Sequence, residues 1–98
     1  MRYLRVQEVM ETLGVDEAFL RLLETEGLIH PKTTLEGESV LSESEAERVR
    51  LAAFLMTELE VNLAGTEVIL HLREQIFELH HQFDELLRAL ARELRERR

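Results

Sequence analysis

The sequence predicts an all-α protein in two parts: a domain of short helices over residues 1–62 and one long helix over residues 63–98. Three observations carry this. Leu, Glu, Arg and Ala dominate the 98 residues, the usage of helices. Gly and Pro total five and aromatics are 5%, too few for a many-turned sandwich or barrel. Near the C-terminus, apolar residues recur at alternating steps of three and four. At 45% hydrophobic, the chain has enough apolar material for one small core.

The first helix is expected from Val6 to Leu13, with Val6, Val9, Met10 and Leu13 on one face. Gly14 ends it, being tolerant of the left-handed conformation. Asp16 is placed to cap a second helix, about Glu17 to Glu26, by accepting from its free N–H groups. Gly27 stops that helix. Two short helices joined by a Gly-containing turn form a helix-turn-helix. Pro31, the only proline, forbids a helix there. A hairpin, or wing, follows, with Leu28-Ile29 and Val40-Leu41 as strand ends and Glu36-Gly37 near its turn. Ser42 and Glu45 have the spacing of a capping box. They open a third helix from about Glu43 to Leu59, striped by Ala46, Val49, Ala53 and Met56.

Asn62 is the next candidate cap, and from about Leu63 the pattern is helical to near the end. Ile69, Leu72, Ile76, Leu79, Phe83, Leu86 and Leu90 form a heptad seam. A helix of about 50 Å, at about 1.5 Å per residue, cannot fold back along its whole seam on a sixty-residue domain. A second copy is the expected cover, so the chain reads as a homodimer. The flanking residues leave both parallel and antiparallel pairing open. Leu70 and Phe77 lie off the seam and are expected to pack on the N-terminal domain. Arg92, Arg95, Arg97 and Arg98 complement the helix dipole at its C-terminal end.

Charge restricts function. Twelve basic against twenty acidic residues give −8, and residues 1–60 alone hold six basic and thirteen acidic groups. Duplex DNA is bound through Lys and Arg that displace its counterions, which disfavours DNA as the partner. The longest apolar run, Leu51 to Met56, is far short of the ~20 residues of a membrane span. No signal peptide is read at the start, so a cytoplasmic location without membrane attachment is the expectation. The absence of Cys removes disulfides and thiolate chemistry. His80 and His81 are adjacent and point about 100° apart on a helix. With no third ligand in a fixed motif, no metal and no cofactor are expected. No nucleophile triad, P-loop or dinucleotide fingerprint is present, so no enzyme is expected.

Two stretches carry a resemblance. Phe19-Leu20-Arg21-Leu22-Leu23-Glu24-Thr25-Glu26-Gly27-Leu28-Ile29-His30-Pro31 lies over the pattern T-L-R-x-Y-E-x-x-G-L-x-x-P of the MerR superfamily of winged helix-turn-helix proteins. Val61-Asn62-Leu63-Ala64-Gly65 resembles the V-N-L-A-G segment that opens the fourth helix in HspR-type repressors and CbpM-type chaperone modulators. The resemblance implies a MerR-like winged helix-turn-helix domain followed by a long C-terminal dimerisation helix.

Departures from the pattern separate the branches. Leu22 and Leu23 stand where DNA-binding members use a Tyr. In the wing motif G-Y-R-x-Y-S only Gly37 and Ser42 match; Ser39 replaces the Arg and Leu41 the second Tyr. The chain is therefore most similar to CbpM-type modulators. The resemblance implies binding to the J-domain of a DnaJ- or CbpA-like co-chaperone, and its inhibition. The alternative is a MerR/HspR-like DNA-binding repressor of heat-shock genes, with Arg21 as the retained contact.

The candidate partner face is Glu8, Glu11, Asp16, Glu17, Glu24 and Glu26, with Phe19 as apolar anchor. A solvated acidic face and a core Phe19 are the plain alternatives. Arg21 is read either as a remnant DNA contact or, the favoured reading, as an intrahelical partner of Glu17 and Glu24.

Overall fold

A computed structural model describes residues 2–97. The elements are β1 (Tyr3–Arg5), α1 (Val6–Leu13), α2 (Glu17–Thr25), β2 (Lys32–Thr33), β3 (Ser39–Ser42), α3 (Glu43–Ala53), a π-helical turn (Phe54–Glu58) and α4 (Leu63–Glu96). The chain divides into two units, one up to Glu67 and one from Val68 on. The expected boundary lay after residue 62. The first turn of α4 belongs with the first unit, where Thr66 is fully buried.

The first helices form where their periodicity places them. Gly14 ends α1 at φ +68°, where its N–H donates to the Met10 carbonyl. Asp16 caps α2 by accepting from the Phe19 N–H at 2.8 Å. Gly27 follows α2 at φ +75°, a conformation a side chain would strain.

The fold is predominantly helical, but the all-α expectation needs correction. An antiparallel three-stranded sheet of order β1-β3-β2 joins the wing to the chain's start, with Leu4 opposite Leu41 and Lys32 opposite Val40. Three-residue β1 is too short to show alternation, and only its long-range pairing with β3 makes it a strand. The wing's first strand is Lys32–Thr33, not Leu28-Ile29. Ile29 is instead fully buried. The next N–H, that of His30, donates to the Glu45 carboxylate at 2.6 Å, which ties this segment to the start of α3.

Val9, Leu20, Leu23, Ile29, Leu41, Val49, Ala52 and Leu55 form the core of the first unit. Ser42 and Glu45 make the complete capping box of α3. The expected single helix to Leu59 changes winding at Phe54. The Thr57 hydroxyl donates to the Ala53 carbonyl at 2.5 Å, and the Leu59 N–H reaches back five residues to Phe54. A threonine competing for its own helix's carbonyl disturbs the regular ladder. Glu60, at φ +55°, ends the segment.

Asn62 then caps α4 by accepting from the Gly65 N–H at 2.7 Å. A Cβ at Gly65 would lie 2.9 Å from Val61 Cγ1 and 3.1 Å from Asn62 Oδ1. A side chain there would crowd the cap itself. One turn on, the Thr66 hydroxyl is buried with no hydrogen-bond partner among the described residues. An unsatisfied buried hydroxyl costs about 1–3 kcal/mol. Thr66→Val keeps the shape and removes that group, so urea unfolding is expected to show a gain of about 1 kcal/mol. Thr66→Ser, which keeps the hydroxyl and loses the methyl, is expected to show a loss.

The second unit is the remainder of α4. Phe77, expected against the N-terminal domain, is 56% exposed, with the Arg73 guanidinium 4.7 Å from its ring centre. Met1 and Arg98 lie outside the described residues, so the dipole role read for Arg98 does too. Among the described residues, no helix is long and apolar enough to cross a membrane, and no group of three metal-ligating side chains occurs.

Candidate functional site

Two surfaces stand out, one on each unit. The first is the outer face of α1 and α2 with the wing. Glu8, Glu11, Asp16, Glu17, Glu24 and Glu26 are all exposed. Their surroundings differ. Glu8 pairs with Arg5, whose Nε donates to it at 3.1 Å, and Glu38 of the wing lies 4.0 Å from the same guanidinium. The Glu8 hydrogen bond, with the charges of Glu8, Glu38 and Glu11, raises the Arg5 pKa and keeps it fully charged. Glu17 pairs with Arg21 at 3.2 Å, four residues on. Asp16 serves as the α2 cap. The neighbouring Glu26 carboxylate, with some loss of solvation, pushes the Glu67 carboxyl above the usual glutamate value. Glu11 and Glu24 have no ion pair among the described residues and are the least encumbered acids of the face.

The basic groups are as informative. All six basic side chains in the first sixty residues have intramolecular partners. Arg2 pairs with Glu43 at 3.5 Å, Arg5 with Glu8, Arg21 with Glu17, and Arg50 with Glu47. Arg48 donates to the Leu28 carbonyl at 2.8 Å. Lys32 lies 3.4 Å from the Tyr3 hydroxyl and 5.6 Å from its ring centre. The helix-turn-helix and wing therefore present a surface of net negative charge.

Phe19 is half-buried, between the core and anchor readings. Two other apolar residues are more open. Leu22 on α2, one of the apolar positions read for that helix, is exposed, and Leu35 in the wing turn, which sequence reasoning passed over, is 104% exposed. Proximity to the Glu36-Gly37 turn could have found Leu35.

A groove runs between the wing and the helix-turn-helix. Arg5, Val6, Gln7 and Met10 form one side, Glu17 stands at the start of α2, and Gly37, Glu38 and Ser39 form the wing side. The wing is well braced. Thr34 N–H donates to the Glu38 carbonyl at 2.8 Å, Gly37 N–H to the Thr34 carbonyl at 3.0 Å, and Glu38 N–H to the Thr34 hydroxyl at 3.1 Å.

The second surface is the seam of α4. Ile69 is half-buried, whereas Leu72, Ile76, Leu79, Phe83, Leu86 and Leu90 are 48–67% exposed. Ile76, Leu79, Phe83 and Leu86, flanked by His80 and Gln82, line a shallow apolar depression along the helix. Leu87 and Leu94, also exposed, lie one turn beyond Phe83 and Leu90 and widen the stripe toward its C-terminal end.

The helix-turn-helix, the small wing and the long following helix form one arrangement in sequence order. The profile of the MerR HTH family regulatory protein matches residues 4–88, from β1 well into α4. No curated protein matches the chain. With the match spanning most of its length, this chain belongs to the MerR HTH family of regulatory proteins.

Proposed function

We propose that this chain is a non-enzymatic modulator of a DnaJ- or CbpA-like co-chaperone. It pairs with a second copy through α4, and its acidic helix-turn-helix face binds the basic face of a J-domain and so blocks it. The observation that carries this reading is the pairing of every basic side chain in the first sixty residues with its own chain, against thirteen acids. Phosphate contacts provide most of the affinity for a duplex, and this face offers them little. A basic protein surface has the complementary sign.

The clean test avoids acids with structural duties. Asp16→Lys would remove the α2 cap, and Glu8→Lys would strip Arg5 of its partner. Glu11→Lys with Glu24→Lys changes charge alone. Calorimetric titration with a purified J-domain is expected to show the double variant binding about tenfold more weakly at low salt, chiefly through slower association. A mobility shift on promoter DNA is expected to be unchanged or stronger. Nanomolar, sequence-dependent DNA binding with no heat from the J-domain would restore the repressor reading, with Arg21 as its contact.

A further inference from the structure

We infer that two copies of α4 pair antiparallel in one register about His81, and that His80 and Gln82, each meeting its own counterpart, fix that register. This rests on the self-pairing half of the proposed function and not on the J-domain.

The exposed apolar side chains of α4 are arranged symmetrically about His81. Leu79 and Phe83 lie two residues from it, Ile76 and Leu86 five, Leu72 and Leu90 nine, and Val68 and Leu94 thirteen. A two-fold axis at that level sets each member of a pair beside the other member in the second copy. All eight are exposed in the single chain, and this pairing covers all eight. Of the other exposed apolar residues, Phe77 already carries the Arg73 guanidinium on its ring, and Leu87 lies one heptad beyond His80 on the same edge.

A parallel pair needs no such symmetry, but it needs the alternation of three and four to continue. Three residues after Leu90 stands Glu93, held by Arg97 at 2.8 Å. A parallel pair would bring two Glu93 carboxylates together in the seam. Charge favours the same orientation. Residues 87–97 hold four arginines against two glutamates, and residues 65–75, their counterparts across the axis, hold one arginine against two glutamates. Antiparallel pairing lays one segment beside the other. Parallel pairing lays each beside itself, where like charges repel.

His80 and Gln82 flank the depression formed by Ile76, Leu79, Phe83 and Leu86. They are about 200° apart around the helix and so stand on opposite edges of it. The two-fold axis brings His80 beside the second copy's His80 on one edge, and Gln82 beside Gln82 on the other. A neutral imidazole and a primary amide each both donate and accept, so each pair can hydrogen-bond with itself. Polar pairs in an apolar seam specify register. A shift of one heptad would break both pairs and set Leu90 opposite Gly65, or Ile76 opposite Glu93. His81 itself points away from the seam, its Nε2 3.0 Å from Glu85.

The chain has no cysteine, so introduced cysteines report the pairing directly. Single-cysteine variants of the full chain are treated with a short bismaleimide. Leu72→Cys mixed with Leu90→Cys is expected to cross-link, and so is His80→Cys with itself. Leu72→Cys alone is expected to give no product, its two copies lying about 27 Å apart along the pair at 1.5 Å per residue. Gln75→Cys with Ala89→Cys, on the Gln82 edge, carries the same test should a seam cysteine weaken pairing. Adding His80→Ala with Gln82→Ala is expected to keep the dimer and lose the single register. Leu72→Cys with Phe83→Cys, one heptad away, then becomes a second product.

Self-linking of Leu72→Cys overturns the antiparallel register while the dimer stands. If the double alanine variant still gives only the Leu72→Cys with Leu90→Cys product, the apolar stripe sets the register alone and the role of His80 and Gln82 is overturned. An unmutated chain that sediments as a monomer removes the dimer and this inference with it. A J-domain that does not bind removes the modulator reading and leaves the cross-links unchanged.

Discussion

Ile76→Asp or Phe83→Asp is expected to split the proposed dimer. Both side chains lie in the middle of the α4 seam and are more than half exposed in the single chain. With Leu72, Leu79, Leu86 and Leu90 they form a continuous apolar stripe, longer than soluble monomers ordinarily leave in water. Pairing two such stripes removes them from solvent at about 25 cal/mol per Å². An unpaired carboxylate buried in that interface costs roughly 3–5 kcal/mol. This weakens association by about two to four orders of magnitude.

Sedimentation should find the unmutated chain dimeric at concentrations on the order of tens of micromolar, and each variant monomeric. Far-ultraviolet circular dichroism should change with it. A solitary helix is held mainly by packing of its apolar face, so the freed part of α4 is expected to fray. If the unmutated chain sediments as a monomer at that concentration, the seam is not a self-pairing surface.

Removing the Glu45 carboxylate is expected to have the largest effect on the first unit. Its oxygens accept from the His30 N–H at 2.6 Å, the Ser42 hydroxyl at 3.1 Å and the Ser42 N–H at 3.4 Å. The one side chain thus completes the α3 cap and ties down the segment that delivers Ile29 to the core. A lost cap costs about 1 kcal/mol. A hydrogen bond to a charged group adds about 1.5–3 kcal/mol. Glu45→Ala should therefore destabilise by about 2–4 kcal/mol in urea unfolding, the combined scale of these two contributions. Glu45→Gln, which still satisfies a capping box, should lose less.

The pH dependence has a definite sign. Partial burial raises the Glu45 pKa, but the hydrogen bonds from His30 and Ser42 outweigh it and the carboxyl stays below its ordinary value of 4.5. A depressed pKa means that the stabilisation is complete above the unfolded value and is lost as pH falls through the folded one. The stability gap between the unmutated chain and Glu45→Gln, which includes the attraction of a protonated His30 4.0 Å away, should close as pH falls below about 4.5. A gap that persists undiminished well below that pH would contradict this account.

The helices and most of their ends were legible in the sequence because their signals are local. Gly14, Asp16, Ser42 with Glu45, and Asn62 each satisfy orphan backbone groups within a few residues of themselves. The apolar stripe of α4 was legible for the same reason, since its period repeats along one helix. Family membership followed from two motifs and the order of elements. Tertiary structure alone decided the contacts between distant segments. Tyr3–Arg5 became a strand because β3 lies beside it, whereas the Leu28 carbonyl accepts from Arg48 and the His30 N–H that follows Ile29 donates to Glu45. The groove that brings Val6 and Met10 of α1 beside Gly37 and Glu38 of the wing likewise depends on the fold. Net charge could be counted in the sequence, and so could local pairs such as Arg21 with Glu17, but the long-range partners of Arg2, Lys32 and Arg48 could not. Arg48 reaches Leu28, Lys32 reaches Tyr3, and Arg2 reaches Glu43 across separations that no local period encodes. Composition sets how many charges the face carries; the fold sets which of them remain available to a partner.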